Sequence, residues 1–348
     1  MQANRFIADS LIEHSVILLR LVAGAKIKVQ TIFDAMATAI VVLLVAETVN
    51  EITVDNVLQS AGQIISDHYE QIGALVALKL AGVALAQSAM LDRTLAEIFQ
   101  SAAKLVRLND AALTDIAAHT LIQGANNTAW WEQQAVQTDF ALRNAVRQGL
   151  RNGDTVPQII ARVRGDKHVA GVLEGARNSA FRIVNSAVAA VANESRVETF
   201  QQNRDVINGI EQISTLDGHT SPVCIAYSGA QWDMDYAPIA PTTLPYNGGI
   251  PRHWNCRSVM VPLTKTFAEL GIDAPEFQMS TRASTDGQVR ANMTFAEFLD
   301  GKSTAFQDEL LGPGRAKLFR DGTITLQQLL DQSGNPLTLA QLTARYAN

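Results

Sequence analysis

The sequence predicts an α+β protein: an elongated, mostly helical N-terminal region followed by a compact C-terminal domain with short strands. Residues 5–120 contain no proline, and their apolar residues recur in steps of three and four, the spacing of one helix face. After residue 205 the apolar residues alternate, as in VINGIEQI, which is typical of a strand. Both cysteines lie within residues 213–262, where we expect Cys and His side chains to close a long loop, the Cys/His loop clasp.

Changes in pattern along the chain predict three parts. They are a helical bundle domain over 1–125, a helical connector with a basic face over 126–204, and a small α+β domain over 205–348. Within the first part, Gly24 is the expected end of the first helix. The predicted helices of that part run from 5 to 22, from 27 to 48, from 54 to 83 and from 92 to 120.

The composition is that of a folded protein. The chain has 348 residues, of which 47% are hydrophobic and 18% charged, so disorder is excluded. A net charge of -6 does not favour binding to nucleic acid, and two cysteines are too few for a disulfide framework. The longest apolar run, Ala35–Ala46, is shorter than the roughly 20 residues that span a bilayer. This run therefore predicts a buried core helix, and we expect no stable membrane insertion. The expected compartment is a reducing cytoplasm.

Two adjacent aromatic residues, Trp130 and Trp131, follow the turn-forming stretch GANN. Such a pair packs into a helix junction, or it serves as an exposed anchor for a partner protein. Both interpretations stay open at the level of the sequence.

The one basic region of this acidic chain covers residues 143–182, with eight Lys or Arg against three Asp or Glu. Arg143, Arg147 and Arg151 are four residues apart and therefore share one face of a helix. A solvated surface explains such a face, and so does contact with nucleic-acid phosphates or an acidic partner. Residues that would read base sequence are not evident in this region.

Four soft or borderline metal ligands lie in the clasp segment: His219, Cys224, His253 and Cys256. Two residues between His253 and Cys256 allow a tight turn to direct both side chains at one ion, the spacing found in zinc sites. The fourth ligand would be His219 or Asp217. A pair of unligated thiols is the main alternative, and a disulfide is disfavoured in a reducing compartment.

A complete catalytic constellation is missing from the sequence. Motifs such as HExxH, GxSxG and the Walker loop are absent. Asp217 follows a predicted strand, where an aspartate usually forms an Asx turn. We therefore expect no enzymatic activity, and keep a metal-dependent nucleic-acid-processing enzyme built on the Cys/His segment as the alternative.

The clasp segment resembles the core motif of phage minor head proteins, the Mu F-like head-morphogenesis family. The resemblance rests on TLDGHTSPVC over residues 215–224 and on PRHWNCR over residues 251–257. The helix–Asn–Gly–helix unit over 147–165 agrees with it, as does the tail LLGPGRAKLFRDGTITLQQLL. The similar stretch covers about 137 to 330. The motif positions are Asp217, Thr220, Cys224, His253, Cys256 and Arg257.

The resemblance implies a structural role in a virion. Such proteins lie at the portal vertex or in the capsid interior, and they are assembled in the host cytoplasm. The implied partners are the portal protein and the major capsid or scaffold proteins, with packaged DNA as a further candidate. Many relatives have additional cysteines where this chain has Ser221 and Ser258. A structural zinc ion is thus a candidate cofactor, with hydrogen-bonded loop closure as its alternative.

Overall fold

A computed structural model describes residues 2–47, 50, 52–99, 103–165, 168–272, 281–290 and 293–347. The predicted fold class is confirmed: long helices come first, and a region with a small three-stranded sheet and a Cys/His cluster follows. The N-terminal helices are α1 (Gln2–Ala46), α2 (Val54–Phe99), α3 (Asp110–His119), α4 (Asn127–Arg151), α5 (Val156–Arg164) and α6 (Val172–Gln202).

The buried positions of α1 and α2 follow an eleven-residue repeat, in steps of four, three and four residues. This repeat corresponds to about 3.67 residues per turn, close to the α-helical value, so the buried stripe runs almost straight along each helix. In α1 the positions are Ile7, Leu11, His14, Leu18, Val22, Ala25, Val29, Phe33, Met36, Ile40 and Leu44. In α2 the positions of the repeat are Val54, Leu58, Ala61, Ile65, Tyr69, Ile72, Val76, Leu80, Val83, Gln87, Leu91, Thr94 and Ile98, and Val57, Ala84, Ser88, Met90, Leu95 and Phe99 are buried beside them.

The repeat explains why the predicted helix end at Gly24 is wrong. Val22 and Ala25 continue the buried stripe across the glycine, and α1 runs without a break. A Cβ atom added at Gly24 would meet no heavy atom within 4 Å. By length and composition, His14–Ala46 and Val54–Phe99 could each cross a membrane. Core helices of soluble proteins meet the same criterion, so it assigns no location to the chain.

The chain divides into two compact units, each built from separate segments. The helical unit comprises Ile17–Ala84 and Leu113–Val191, and the C-terminal unit comprises Met1–Val16, Leu85–Ala112 and Ala192–Asn348. The predicted domain boundaries after residues 125 and 204 coincide with no boundary of these units. The reason is that α1, α2 and α6 each contribute one stretch to either unit.

An aromatic cluster lies in the core of the helical unit. The Phe33 ring meets the Tyr69 ring edge-on, with centroids 5.7 Å apart, and the centroid of the Trp131 ring lies 6.4 Å from that of Tyr69. The buried Tyr69 hydroxyl is hydrogen-bonded to Thr138 at 2.8 Å. Because burial and ring packing coincide here, α1, α2 and α4 are held together by specific contacts as well as by apolar area.

A three-stranded antiparallel sheet, in the order β2–β1–β3, organises the C-terminal unit. Its strands are β1 (Ile207–Ile213), β2 (Gln231–Asp233) and β3 (Val259–Thr264). The alternating residues of VINGIEQI correctly predicted β1, and the short β2 was not predicted. Gly209 is required where β1 meets β2, because a Cβ there would lie 2.4 Å from the carbonyl oxygen of Trp232. Trp232 itself is fully buried against Tyr227 and Tyr246.

The remaining elements are short. They are α7 (Pro222–Ala226), the hairpin strands β4 (Thr281–Ser284) and β5 (Gly287–Arg290), α8 (Phe295–Asp300), α9 (Thr304–Leu311), α10 (Pro313–Arg320), a 3₁₀ turn (Gln327–Leu329) and α11 (Leu339–Tyr346). The helical stretch from Gln307 to Phe319 is not one continuous helix. It is interrupted because Gly312 adopts a positive φ of 81° and Pro313 begins the next helix.

Replacing Gly24 with alanine should stabilise the protein by about 0.5–1 kcal/mol, because alanine loses less backbone entropy in a helix and meets no neighbour here. The matched control is Gly149→Ala in α4, where the new Cβ would lie 2.7 Å from Ile159 and should destabilise. Urea denaturation midpoints measure both effects. A lower midpoint for Gly24→Ala would contradict the open environment of this position.

Candidate metal centre

Cys224 is held in place by a short helix and by the sheet. Ser221 caps α7, since its hydroxyl accepts a hydrogen bond from the Cys224 backbone N–H at 3.3 Å, and Pro222 begins the helix. The Ser214 hydroxyl, at the end of β1, donates to the Cys224 carbonyl oxygen at 2.7 Å and lies 3.0 Å from the Ser258 hydroxyl. Ser221 and Ser258 thus each make a structural hydrogen bond beside the cluster.

His253 and Cys256 come from a tight turn before β3. The Cys256 N–H donates to the His253 carbonyl oxygen at 3.2 Å, and Asn255 takes a positive φ of 61° to close the turn. His253 Nδ1 lies 2.8 Å from the Trp254 carbonyl oxygen. Because a carbonyl only accepts, Nδ1 carries the proton, and Nε2 is left facing Cys224. A histidine that binds a metal through one ring nitrogen usually donates its other N–H to a carbonyl or carboxylate oxygen, as Nδ1 of His253 does here.

The three side chains converge as the sequence predicted. Cys224 Sγ lies 3.2 Å from His253 Nε2 and 3.5 Å from Cys256 Sγ, and all three ligand atoms lie within 4.8 Å of one another. A disulfide has an S–S distance of about 2.05 Å, so the two cysteines are not bonded. In a tetrahedral centre with metal–sulfur bonds of about 2.3 Å, two thiolates lie about 3.8 Å apart. The cluster therefore has the donors and the spacing to hold a metal ion.

Charge is distributed unevenly between the two thiols. The hydrogen bond from Cys224 lowers the pKa of Cys256, and contacts with His253 and with backbone N–H groups lower it further despite burial. The same pairing and burial raise the pKa of Cys224. The pKa of His253 is raised mainly by its hydrogen bond to Cys256. These shifts favour ionisation of Cys256 over Cys224.

Arg252 is a neighbour of this cluster that the sequence did not single out. Its guanidinium stacks 3.4 Å from the centroid of the Tyr227 ring, and its Nε donates to Gln212 of β1 at 2.6 Å. Burial lowers the pKa of Arg252, while electrostatic interactions with Tyr227 and with the two cysteines act in the opposite direction. The cation therefore supports a thiolate in the cluster. Proximity to His253 in sequence was the only signal available for it.

Asp217 and Arg257 form a second link between the same two stretches of chain. Arg257 Nη1 and Nη2 donate to the two carboxylate oxygens of Asp217 at 2.6 and 2.8 Å, a bidentate pair. Asp217 also accepts from the His219 N–H at 2.9 Å and from Thr220 Oγ1 at 3.1 Å. The expected Asx turn is therefore present.

The expectation of a fourth protein ligand is not met among the described residues. Asp217 is engaged by Arg257 and by its own turn, and His219 is exposed and lies outside the three-residue cluster. This prediction failed because proximity of His219 to Cys224 in the sequence does not determine where the His219 side chain points. The Asx turn uses the backbone of His219 and leaves its ring away from the thiols.

The predicted basic face lies in the helical unit, away from the clasp in sequence, and two of its arginines are engaged in ion pairs. Arg143 pairs with Asp139 at 2.6 Å and donates to the Leu58 carbonyl oxygen, and Arg147 pairs with Asp55 at 2.8 Å. Arg151 is exposed. The pairs reduce the positive charge that this face can offer to phosphates.

The two predicted tryptophan anchors are packed within the protein. Trp131 is only 3% exposed and donates through Nε1 to Asn127, so a role as an exposed partner anchor is wrong for this residue. Trp130 is half-buried, and its Nε1 donates to the Ile122 carbonyl oxygen. The helix-junction interpretation of the pair is the one that fits.

Comparisons with protein-family models, with curated proteins and with solved structures found no match to this chain.

Cobalt(II) should bind the cluster in a one-to-one ratio and give the thiolate charge-transfer absorption of a tetrahedral site. Cys256→Ser and His253→Ala should weaken binding by more than about 100-fold, because each removes a ligand and even the loss of a residue that only hydrogen-bonds to a ligand costs about 10–100-fold. Binding should weaken as pH falls, because protons compete for the thiols and for His253. His219→Ala is the matched control and should bind like the wild type; equal affinity in all variants would contradict the site.

Disrupting the Asp217–Arg257 pair should lower the free energy of unfolding by about 1–2 kcal/mol at neutral pH, a value that allows for the partial exposure of Arg257. Asp217→Asn, Arg257→Met and the double variant form the cycle, measured by urea denaturation. Although burial acts in the opposite direction, the contacts with Arg257, His219 and Thr220 lower the pKa of Asp217 in the folded state. The stabilisation by this ion pair is therefore complete above about pH 4, the pKa of aspartate in the unfolded chain. It is lost as the pH falls through the lower pKa of Asp217 in the folded state. A coupling energy of zero at pH 7 would contradict this role.

Proposed function

We propose that this protein is a structural minor head protein of a bacteriophage, similar to the Mu F-like head-morphogenesis family. The observation that carries the proposal is the pairing of the two motif stretches. Residues 215–224 and 251–257 are joined by the Asp217–Arg257 ion pair and by the cluster of Cys224, His253 and Cys256. The motif that resembles the family therefore coincides with a structural closure.

The chemistry of the clasp supports a structural role more than a catalytic one. Cys224 and Cys256 are only 2% and 5% exposed, which gives a substrate little access to either sulfur. Asp217 is neutralised by a bidentate arginine and is poorly suited to act as a base. A structural metal ion held by these residues would stabilise the loop without needing access to solvent.

We infer that the metal is zinc. Two thiolates and an imidazole are the donor set that zinc favours, and the Nδ1 contact of His253 fixes its Nε2 as the ligand atom. With Ser221 and Ser258 engaged in their own hydrogen bonds, a fourth ligand would come from solvent or from a partner.

On this proposal the protein acts at the portal vertex during procapsid assembly and DNA packaging or delivery. Its partners are the portal protein and the major capsid or scaffold proteins, and its place is the virion after assembly in the host cytoplasm. Contact with packaged DNA through the basic face is a weaker part of the proposal, because Arg143 and Arg147 are paired with aspartates.

One observation favours a second candidate, a metal-dependent enzyme that processes nucleic acid. Three protein ligands leave one coordination position for water, as in catalytic zinc sites, whereas structural sites are usually closed by four ligands. His253 is half-buried, so the cluster reaches the surface on that side.

The portal protein encoded in the same genome should co-purify with this protein when the two are expressed together. Cys256→Ser and Asp217→Asn should reduce recovery of the complex, since both loosen the proposed interface module, while His219→Ala should leave it unchanged. Tagged pull-downs with quantified band ratios measure this. Metal-dependent DNA cleavage that is lost in His253→Ala, together with no portal binding, would contradict the structural proposal and favour the enzyme.

A further inference from the structure

Three helix segments of the C-terminal unit share one hydrophobic core. Its members include Ile7 and Leu11 of α1, Leu91 and Leu95 of α2, and Phe200 of α6. One turn further along each helix the core changes character. The next buried positions are polar: His14 of α1, Gln87 of α2, and Asn193 and Arg196 of α6.

This polar layer is almost completely shielded from solvent. His14 is 6% exposed, Arg196 is 3% exposed and Gln87 is not exposed at all. His14 interacts electrostatically with Arg196, so the α1 and α6 members of the layer lie within electrostatic range of each other. Asn193 and Arg196 are three residues apart and so lie on one face of α6.

Several polar atoms of the layer have no hydrogen-bond partner. They are His14 Nε2, both amide atoms of Gln87, Asn193 Oδ1 and Arg196 Nε. Buried polar groups are nearly always hydrogen-bonded in folded proteins. A cluster of unsatisfied donors and acceptors at one level of a helix packing therefore indicates that a further molecule belongs there.

The charge of Arg196 identifies the kind of molecule. Arginine stays protonated in proteins, and a buried cation is strongly disfavoured without a counter-charge. Among the residues that the structure describes, no carboxylate pairs with Arg196, whose pKa is lowered to about 10 by burial. Glu194, on the same helix, has a pKa raised by burial and by Glu198, the opposite of what a neighbouring arginine would cause.

Water would satisfy the unpaired atoms but would leave the charge of Arg196 without compensation. His14 adds no charge of its own, because burial, Arg196 and Arg93 lower its pKa to about 4 and keep the ring neutral. The neutral ring, the Gln87 amide and the Arg196 Nε–H can all donate hydrogen bonds. A small anion accepts such bonds and supplies the missing negative charge.

We propose that His14, Gln87 and Arg196 form a buried binding site for a small inorganic anion, such as chloride or phosphate, between α1, α2 and α6 in the C-terminal unit. The anion is a structural ligand that completes the packing of these helices. The site is separate from the Cys/His loop clasp and does not depend on the function proposed for it.

The test titrates the purified protein with chloride, phosphate or sulfate, with sodium gluconate keeping the ionic strength constant. One of the small anions should raise the Tm of the wild type by about 2–4 °C in a saturable way. Arg196→Met should remove this dependence, because it keeps the side-chain volume and deletes the charge. Arg93→Met, which removes an exposed cation close to His14, is the matched control and should keep it.

A bromide-soaked crystal of the wild type provides a readout that does not depend on the folding of any variant, with an anomalous peak expected beside Arg196. A wild-type Tm that no anion changes, with no bromide peak, would overturn the proposal in favour of buried water. Glu13 is next to His14 in the sequence. If Glu13→Gln gained an anion dependence that the wild type lacks, a carboxylate of the chain would be the counter-charge, which would also overturn it.

Discussion

The C-terminal unit depends on fixing a long irregular segment between two strands that pair with each other. β1 ends at Ile213 and its partner β3 begins at Val259, and between them the regular structure consists of a short helix and the three residues of β2. Ordering such a segment costs conformational entropy that its few ladder hydrogen bonds cannot offset. The side chains that tie the segment down therefore determine whether the sheet forms.

These ties are spread along the segment and differ in chemistry. Near its middle, the buried Trp232 donates to the Leu244 carbonyl oxygen at 2.9 Å, and the Tyr227 hydroxyl donates to the Pro245 carbonyl oxygen at 3.0 Å. At its end, Arg252 stacks on Tyr227, and Cys256 meets Cys224. Each tie joins a loop residue to the sheet or to α7, so the loop is held at several points and the clasp is the last of them.

The sequence predicted those features that local chemistry determines. Thr294 caps α8 and Asn152–Gly153 ends α4, as their residue types indicate. Convergence of Cys224, His253 and Cys256 was also predictable, since the spacing of the last two requires a turn. The direction of the His219 ring was not predictable, and neither was the pairing of Arg147 with Asp55, which is 92 residues away in sequence. The Arg143–Asp139 pair, by contrast, is local, because the two residues are one helical turn apart. The first helix was predicted to end at Gly24, because glycine disfavours the helix interior. The helix nevertheless continues, because packing of the buried repeat stabilises it by more than one glycine costs.

Two groups of side chains join residues 215–224 to residues 251–257: the Cys/His cluster and the Asp217–Arg257 ion pair. They depend on different interactions. A metal at Cys224, His253 and Cys256 depends on thiolate ionisation and is lost to chelators or acid. The Asp217–Arg257 pair needs neither, and it persists wherever the carboxylate is ionised. The ion pair and these hydrogen bonds of Ser221 and Ser258 use none of the three candidate ligand atoms, so they would help to close the loop independently of an ion. The ion at this site would then adjust the rigidity of the module, and would not be required for it to fold.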